Sequence, residues 1–438
     1  MRRADWFLGG LMGAIHFTFH VYLRLIPPLI PVFALAFALP LWRLGLFMSL
    51  YFTGSTLGLL PMGHLSDAYD RRVLLPAALA VVAGGFLLFA AAPTIGAGLP
   101  TVVLAGESFE GPFVVMGLAM VVAGLGSSAH IPVGVPLITR NASSESTGTV
   151  LGIWGGASKL GDAAAPAMVG VLILGVAWQD ILQGFGLVGL GLAAGLYLLL
   201  GADRFDTSPA GIDADPDEPA WNPWEADRRR YIYPMLALAG YFALYNVVVQ
   251  GVVTFTPTFV TDVYGYTLTL GGIHFAPESF ADFALSFLLI AAAIARFVGG
   301  VLVDRSEGRT VLVGTLVLAS VALFAFARLP LDPLAMLIVL AVFGMGLWGN
   351  SPARDALISE LTPAEREGRT FSYLWTVSRA FGAISPAVVG YLADTAGVRA
   401  GFALLSVATL LAAGAVALLF SDRVYRTSSP QPPLAAED

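Results

Sequence analysis

Lys159 and Asp162 stand three residues apart inside an apolar run, SKLGDAAAPAMVG at 158–170. A helix through that run carries both on one face. At a rise of about 1.5 Å per residue they lie near the middle of a membrane-crossing helix. Charges at that depth are costly unless they pair or face a cavity. A deprotonated Asp162 would neutralise Lys159, and a protonated one would free it for an anion, coupling proton to anion movement. A permanent structural pair is the alternative.

Other groups invite the same question. Arg24 lies in the first apolar run, as a ligand or as a residue reaching for the outer surface. Arg296 lies in the eighth run, about two turns before Asp304, and serves substrate or an inter-helix pair. His16 and His20 are one turn apart and titrate near neutrality, which suits a proton relay or, equally, buried packing. Asn246 and Gln250, also one turn apart, offer amide contacts. Trp375, with Trp154, Tyr245, Trp348 and Tyr373, offers aromatic walls. Glu278 and Asp282 read as solvated acids at the outer end of the eighth run. The five histidines are scattered over several segments and there is no cysteine, so no metal site, disulfide or cofactor is expected.

The elements that position these groups follow from composition. Of 438 residues, 57% are hydrophobic and 12% charged, too apolar for a soluble domain, so lipid is the expected solvent. Apolar runs give twelve spans: 7–37, 43–66, 73–93, 113–139, 146–174, 179–201, 232–263, 279–303, 310–328, 333–360, 368–393 and 398–420. The first is read as a retained span, not a signal peptide, bent by Pro27, Pro28 and Pro31. An acidic, proline-rich stretch at 202–230 separates the halves, with a short surface helix expected around Trp221 and Trp224. The expected organisation is a six-helix bundle at 1–201, a linker at 202–230, a second bundle at 231–421 and a tail at 422–438.

Arginine placement sets the expected orientation. With both termini cytoplasmic, Arg2, Arg3, Arg71, Arg72, Arg140, Arg204, Arg228, Arg229, Arg230, Arg305, Arg309, Arg354, Arg366, Arg369, Arg423 and Arg426 lie inside. Only Arg43, Arg328 and Arg399 lie outside.

The chain also repeats itself. SKLGDAAAPAMVG at 158–170 aligns without a gap on SRAFGAISPAVVG at 378–390, pairing Lys159 with Arg379. At the same offset Gly148 meets Gly368, AGLG at 123–126 meets FGMG at 343–346, Pro132 meets Pro352, and His130 meets Asn350 as a shared polar lining position. GHLSDAYDRR at 63–72 resembles GVLVDRSEGR at 300–309 at a larger offset, as expected if the outer loop near 94–112 is an insertion. Two parallel six-helix halves place a substrate site near midplane between them.

On these residues the chain resembles the major facilitator superfamily over nearly its whole length. Gly63, Leu65, Asp67, Arg71 and Arg72 are similar to its loop signature between the second and third helices, and Gly300, Leu302, Asp304, Arg305, Gly308 and Arg309 repeat it. The resemblance implies a cytoplasmic gate. Its glycines permit close helix approach, Asp67 and Asp304 face the starts of the eleventh and fifth helices, and the arginines pair with acids on the facing half. It implies that the fifth and eleventh helices line the cavity, so Lys159 and Arg379 would flank one substrate. Gly152, Gly161, Pro166 and Gly170 match the family's antiporter motif in part, while Ala165 and Val169 replace glycines and Met120 stands near the place of a customary arginine. The first helix, with IPPLIP, is similar to fosmidomycin-resistance-like exporters.

The expected protein is thus an all-α integral membrane transporter of the plasma membrane, acting as a monomer on a small, anionic solute. Proton-coupled export is the first expectation, with organic-anion uptake or exchange as the alternative. No Walker-type loop, clustered nucleophile or signalling domain points to ATP hydrolysis, another enzyme activity or a receptor, and no nucleic-acid partner is expected.

Overall fold

The computed structural model describes residues 2–201, 204–209, 228–303, 305–362, 367–421 and 424, with 228–231, 297 and 367–369 described by backbone alone. The expectations on Asp304, on Trp221 and Trp224, and on most of the linker and tail lie outside these residues.

Among the described residues, twelve helical segments match the twelve apolar runs, several of them in two pieces. The first span is α1 (Arg3–Leu23) and α2 (Ile26–Phe37). The break at Arg24 and Leu25 has a local cause. Pro27 and Pro28 lack the N–H a continuing helix needs, yet suit the first turn of a new one. Then come α3 (Leu41–Ala68), α4 (Arg71–Gly96), α5 (Gly111–Ser127) with α6 (His130–Asn141), α7 (Thr147–Leu172) and α8 (Trp178–Leu200). The second half holds α9 (Arg228–Phe259), ending in a π turn at Val260–Tyr264, α10 (Pro277–Val303) and α11 (Gly308–Arg328). It continues with α12 (Pro333–Gly349) and α13 (Ser351–Leu361), α14 (Glu367–Ala396) and α15 (Val398–Ala417). The α5/α6 and α12/α13 breaks fall just before the repeat-matched prolines, Pro132 and Pro352, each in the first turn of the second piece.

Among the described residues, ten segments are long and apolar enough to cross a membrane. The helices α7 and α14 are not among them. These are the two that carry Lys159, Asp162 and Arg379, and their polarity is what a cavity-facing helix would show.

The stretch near 94–112, expected as an inserted loop, contains a β-hairpin of β1 (Val102–Leu104) and β2 (Glu107–Phe109). A second hairpin, β3 (Leu268–Leu270) with β4 (Ile273–Phe275), precedes α10. Both turns need positive φ at two successive residues, met by Gly271 and Gly272 in the second but by Ala105 and Gly106 in the first.

The chain divides into two compact units. One holds 1–215, 250–290 and 383–401; the other holds 216–249, 291–382 and 402–438. The boundaries therefore cut through α9, α10 and α14. Within the first unit α1 runs along α7, α4 packs on α5 and α8, and α3 on α5. Within the second, α11 packs on α12 and α13. The repeat is visible in the packing. A Cβ on Gly126 would stand 2.7 Å from the Ala78 carbonyl oxygen, and one on Gly346 2.7 Å from that of Thr315. In each half the fourth span thus touches the backbone of the third through a matched glycine.

Candidate functional site

The first unit gathers its polar residues around Asp162, whose side chain is 3% exposed. The break after α1 turns Arg24 inward, and its Nε donates to Asp162 Oδ1 at 2.9 Å. Lys159, one turn back on α7, donates from Nζ to Oδ2 at 2.6 Å. His20 Nδ1 meets Oδ1 at 2.9 Å. The contact between α1 and α7 depends on Gly161, where a Cβ would lie 2.4 Å from the Phe17 carbonyl oxygen. Arg24 is therefore not a residue reaching for the surface, as one expectation had it, but a buried partner of Asp162. Its Nη1 is buried without a hydrogen-bond partner. Two permanent cations facing one carboxylate leave the cluster with an excess of positive charge.

His16 sits beside this cluster, stacked on Trp154 at 3.6 Å between ring centres, with Nδ1 2.8 Å from the Trp154 carbonyl oxygen. His130, at the start of α6, turns Nδ1 to the Ser127 carbonyl oxygen. One ring nitrogen from each of His16, His20 and His130 lies within 4.8 Å of the others. The sequence scatters these histidines, and the fold brings them together. Three imidazoles within this reach are the kind of donor set a transition metal uses, so these are the residues that could hold one.

The second unit holds the other expected site residues. Arg379 is half-buried on α14 and makes no hydrogen bond or ion pair among the described residues. Lys159 and Arg379 thus belong to different units. Asn246 is buried and its amide donates to the Ser378 carbonyl oxygen at 2.8 Å, tying α9 to α14. Asn350, expected to line a cavity, is fully buried and accepts from the Tyr241 hydroxyl at 3.0 Å. Asn350 Nδ2 is buried without a hydrogen-bond partner. Gln250 is half-buried on α9, and Arg296 is exposed on α10.

Sequence reasoning missed Arg354. Its charge counted it among the cytoplasmic-side arginines at the end of the run 333–360, with no site role, but it lies in α13 and is 2% exposed. Its guanidinium carbon stands 5.2 Å from the ring centre of Phe242, 5.9 Å from Tyr245 and 5.0 Å from Trp375. Its Nε donates to Asp355 at 2.8 Å. Trp375 is therefore a wall of an aromatic cage around an arginine. The nearness of Pro352, matched to Pro132 inside a span, was the available signal.

The gate residues are placed less simply than expected. A Cβ at Gly63 or Gly300 would meet nothing within 4 Å, so neither provides a close helix contact here. Asp67 and Arg305 are exposed. Arg71 is buried, and instead of an acid it holds the linker: its side chain bonds Ser66 Oγ and the Ser208 carbonyl oxygen, and its amide donates to Thr207 at 3.0 Å. Arg140 reaches the same Ser208 carbonyl at 2.8 Å, and Asn141 exchanges two bonds with the Asp206 backbone. The hydroxyl and amide of Ser208 hold the Asp206 carboxyl below the usual carboxylate range. Arg72 lies 4.8 Å above the Tyr197 ring at the end of α8. Arg309 lies 5.2 Å above Phe420 after α15, and also bonds the Leu419 carbonyl oxygen at 2.9 Å. The matched arginines therefore dock on matched ends of the sixth and twelfth spans.

Family membership is decided by a match to the Major Facilitator Superfamily over residues 12–281 and 274–437. The chain belongs to that superfamily. Among curated proteins none matches its sequence. Solved structures share the fold. A bacterial homologue of the human lysosomal transporter Spinster, inward-facing and occupied, superposes with TM-score 0.76 at 15% identity, covering 97% of this chain and 98% of that one. The inward-open xylose transporter XylE from E. coli gives 0.71 at 10% identity, with 98% of each chain covered. A POT family transporter in complex with a thioalcohol-conjugated peptide gives 0.71 at 12%, covering 95% and 96%. This facilitator is a multi-pass membrane protein that works by secondary transport through alternating access, and is not an enzyme.

Proposed function

We propose that this facilitator moves a small anionic solute across the plasma membrane, with both termini cytoplasmic, as a proton-coupled exporter. The observation that carries the anionic reading is the cluster at Asp162, where Lys159 and Arg24 share one carboxylate and Arg24 Nη1 is left without a partner. An incoming carboxylate or phosphate would compete with Asp162 for these cations in a half-shielded setting, where charge-assisted bonds are strong. Arg379, without a polar partner among the described residues, is a further cation available to an anionic solute. Proton coupling is supported by His20 and Asp162 in direct contact, since a proton taken up there changes the hold on both cations. The export direction rests on the partial fifth-helix motif, Gly152, Gly161, Pro166 and Gly170.

The structural neighbours do not narrow the solute, because their names cover a peptide and a sugar. Counterflow in proteoliposomes, with and without an imposed pH gradient, tests the reading. Accumulation of a labelled anion driven by the gradient and lost in Lys159→Ala and Arg379→Ala is expected. Retained uptake in both variants would place the solute elsewhere. Anion exchange indifferent to the gradient would favour the second reading, organic-anion uptake or exchange, which the same two cations support.

A further inference from the structure

Asp282 has no role in the cluster above and no partner of its own. It lies in the second turn of α10, is 0% exposed, and neither carboxylate oxygen has a hydrogen-bond partner. The expectation of a solvated acid is therefore reversed. Ser279, one turn earlier on the same face, is 1% exposed with an unpartnered hydroxyl. The burial is made by α7, in the same compact unit. A Cβ on Gly170 would lie 2.9 Å from Asp282 Cβ and 3.5 Å from Oδ2, so only glycine lets the acid-bearing face of α10 this close. One turn beyond Asp282, the Ser286 hydroxyl closes the contact by donating to the Ala163 carbonyl oxygen at 2.8 Å.

A carboxylate stripped of water and of every donor is strongly disfavoured. It persists either as the neutral acid or beside a cation. The charged groups around it do not provide one. Glu278, one turn back on α10, is an acid, and so is Asp262 beside it; the α7 contacts are Gly170 and the Ala163 carbonyl, and His274 lies on the cavity wall with no contact to Asp282 among the described residues. A cavity of about 600 Å³ lies against the start of α10, next to β4. His274, Glu278 and Ser279 line it, facing apolar Leu35 and Ile173. Ser279 thus belongs to both the cavity wall and the surroundings of Asp282.

We propose that Asp282 is a proton-carrying carboxylic acid, loaded and unloaded through this cavity by way of Ser279 and Glu278. On release the Asp282 O–H bond breaks, the proton passes to cavity water or to the Glu278 carboxylate, and the Asp282 carboxylate is left behind. A proton reaching Asp162 must displace two cations from their bonds, whereas one reaching Asp282 displaces nothing. The inference extends the proton-coupling part of the function proposed above. It is tested without any solute, so its failure leaves the anion reading standing.

The test is infrared difference spectroscopy of the full chain in lipid nanodiscs. A protonated-carboxyl C=O band is expected at neutral pH, shifting in D2O and vanishing under alkaline conditions. Asp282→Asn loses the band and Asp162→Asn keeps it. Because the chain has no cysteine, Leu35→Cys can be labelled at one place with a bulky thiol reagent, which should slow deuterium exchange of the band. The proposal is overturned by absence of the band in the unaltered protein, by its survival in Asp282→Asn, or by exchange that ignores the label. Loss of the band on adding sodium at constant pH would also overturn it, since the occupant would then be a metal cation.

Discussion

The Asp162 cluster makes a quantitative prediction for Asp162→Asn. Asparagine keeps the shape of the side chain but presents one acceptor oxygen, and turns an NH2 group toward Arg24 or Lys159. In the native cluster Asp162 accepts from Arg24 at 2.9 Å and from Lys159 at 2.6 Å, and its side chain is 3% exposed. Each charge-assisted bond contributes about 1.5–3 kcal/mol. Stranding a buried partner costs about 3–5 kcal/mol. With one acceptor retained and Lys159 23% exposed, a net loss of about 3 kcal/mol is expected. Pairing the change with Lys159→Met removes one stranded cation and should recover about 1–2 kcal/mol relative to additivity. Thermal unfolding of the full chain in lipid-detergent micelles, with size-exclusion to confirm one folded species, measures both. Citrate should raise the melting temperature of Asp162→Asn more than that of the unaltered protein, because two cations are released. An Asp162→Asn variant as stable as the parent, or strictly additive effects in the double mutant, would refute the reasoning.

Further expectations concern the frame. Gly126→Ala and Gly346→Ala each drive a Cβ to 2.7 Å from a backbone oxygen and should cost about 1–3 kcal/mol in thermal unfolding. Gly63→Ala and Gly300→Ala meet open space and should gain up to about 1 kcal/mol from helix propensity; equal losses in all four would dispose of the packing account. Arg72→Met and Arg309→Met each remove a cation from an aromatic face and should lower stability by about 0.5–1 kcal/mol, by similar amounts if the repeat is energetic as well as geometric. Ala105→Gly relieves a positive φ of 52° and should stabilise the first hairpin by about 1 kcal/mol, read as slower amide exchange across β1 and β2.

Much of the architecture was legible in the order of residues. The twelve apolar runs became twelve helical segments among the described residues, ten of them long and apolar enough to cross a membrane, because a segment crossing lipid must satisfy its own backbone and needs about 20 apolar residues to do so. The self-similar stretches became matched breaks at Pro132 and Pro352 and matched contacts at Gly126 and Gly346. The pairing of Lys159 with Asp162 was also readable, since a separation of three is local to one helix.

What only the tertiary structure decided concerns partners distant in the chain. Arg24 and His20 reach Asp162 across 138 and 142 residues, and nothing in their spacing announces it. Arg354 counted only as a topology-setting charge until Phe242, Tyr245 and Trp375 closed around it. The bonds of Asn246 to Ser378 and of Asn350 to Tyr241 likewise join residues more than 100 positions apart. Asp282 looked solvated until Gly170 admitted its helix face. Hydropathy reports how much apolar surface a segment carries, and so fixes which segments cross the membrane. The cost of burying a charge is settled by what stands beside it, and that is set by how the helices pack.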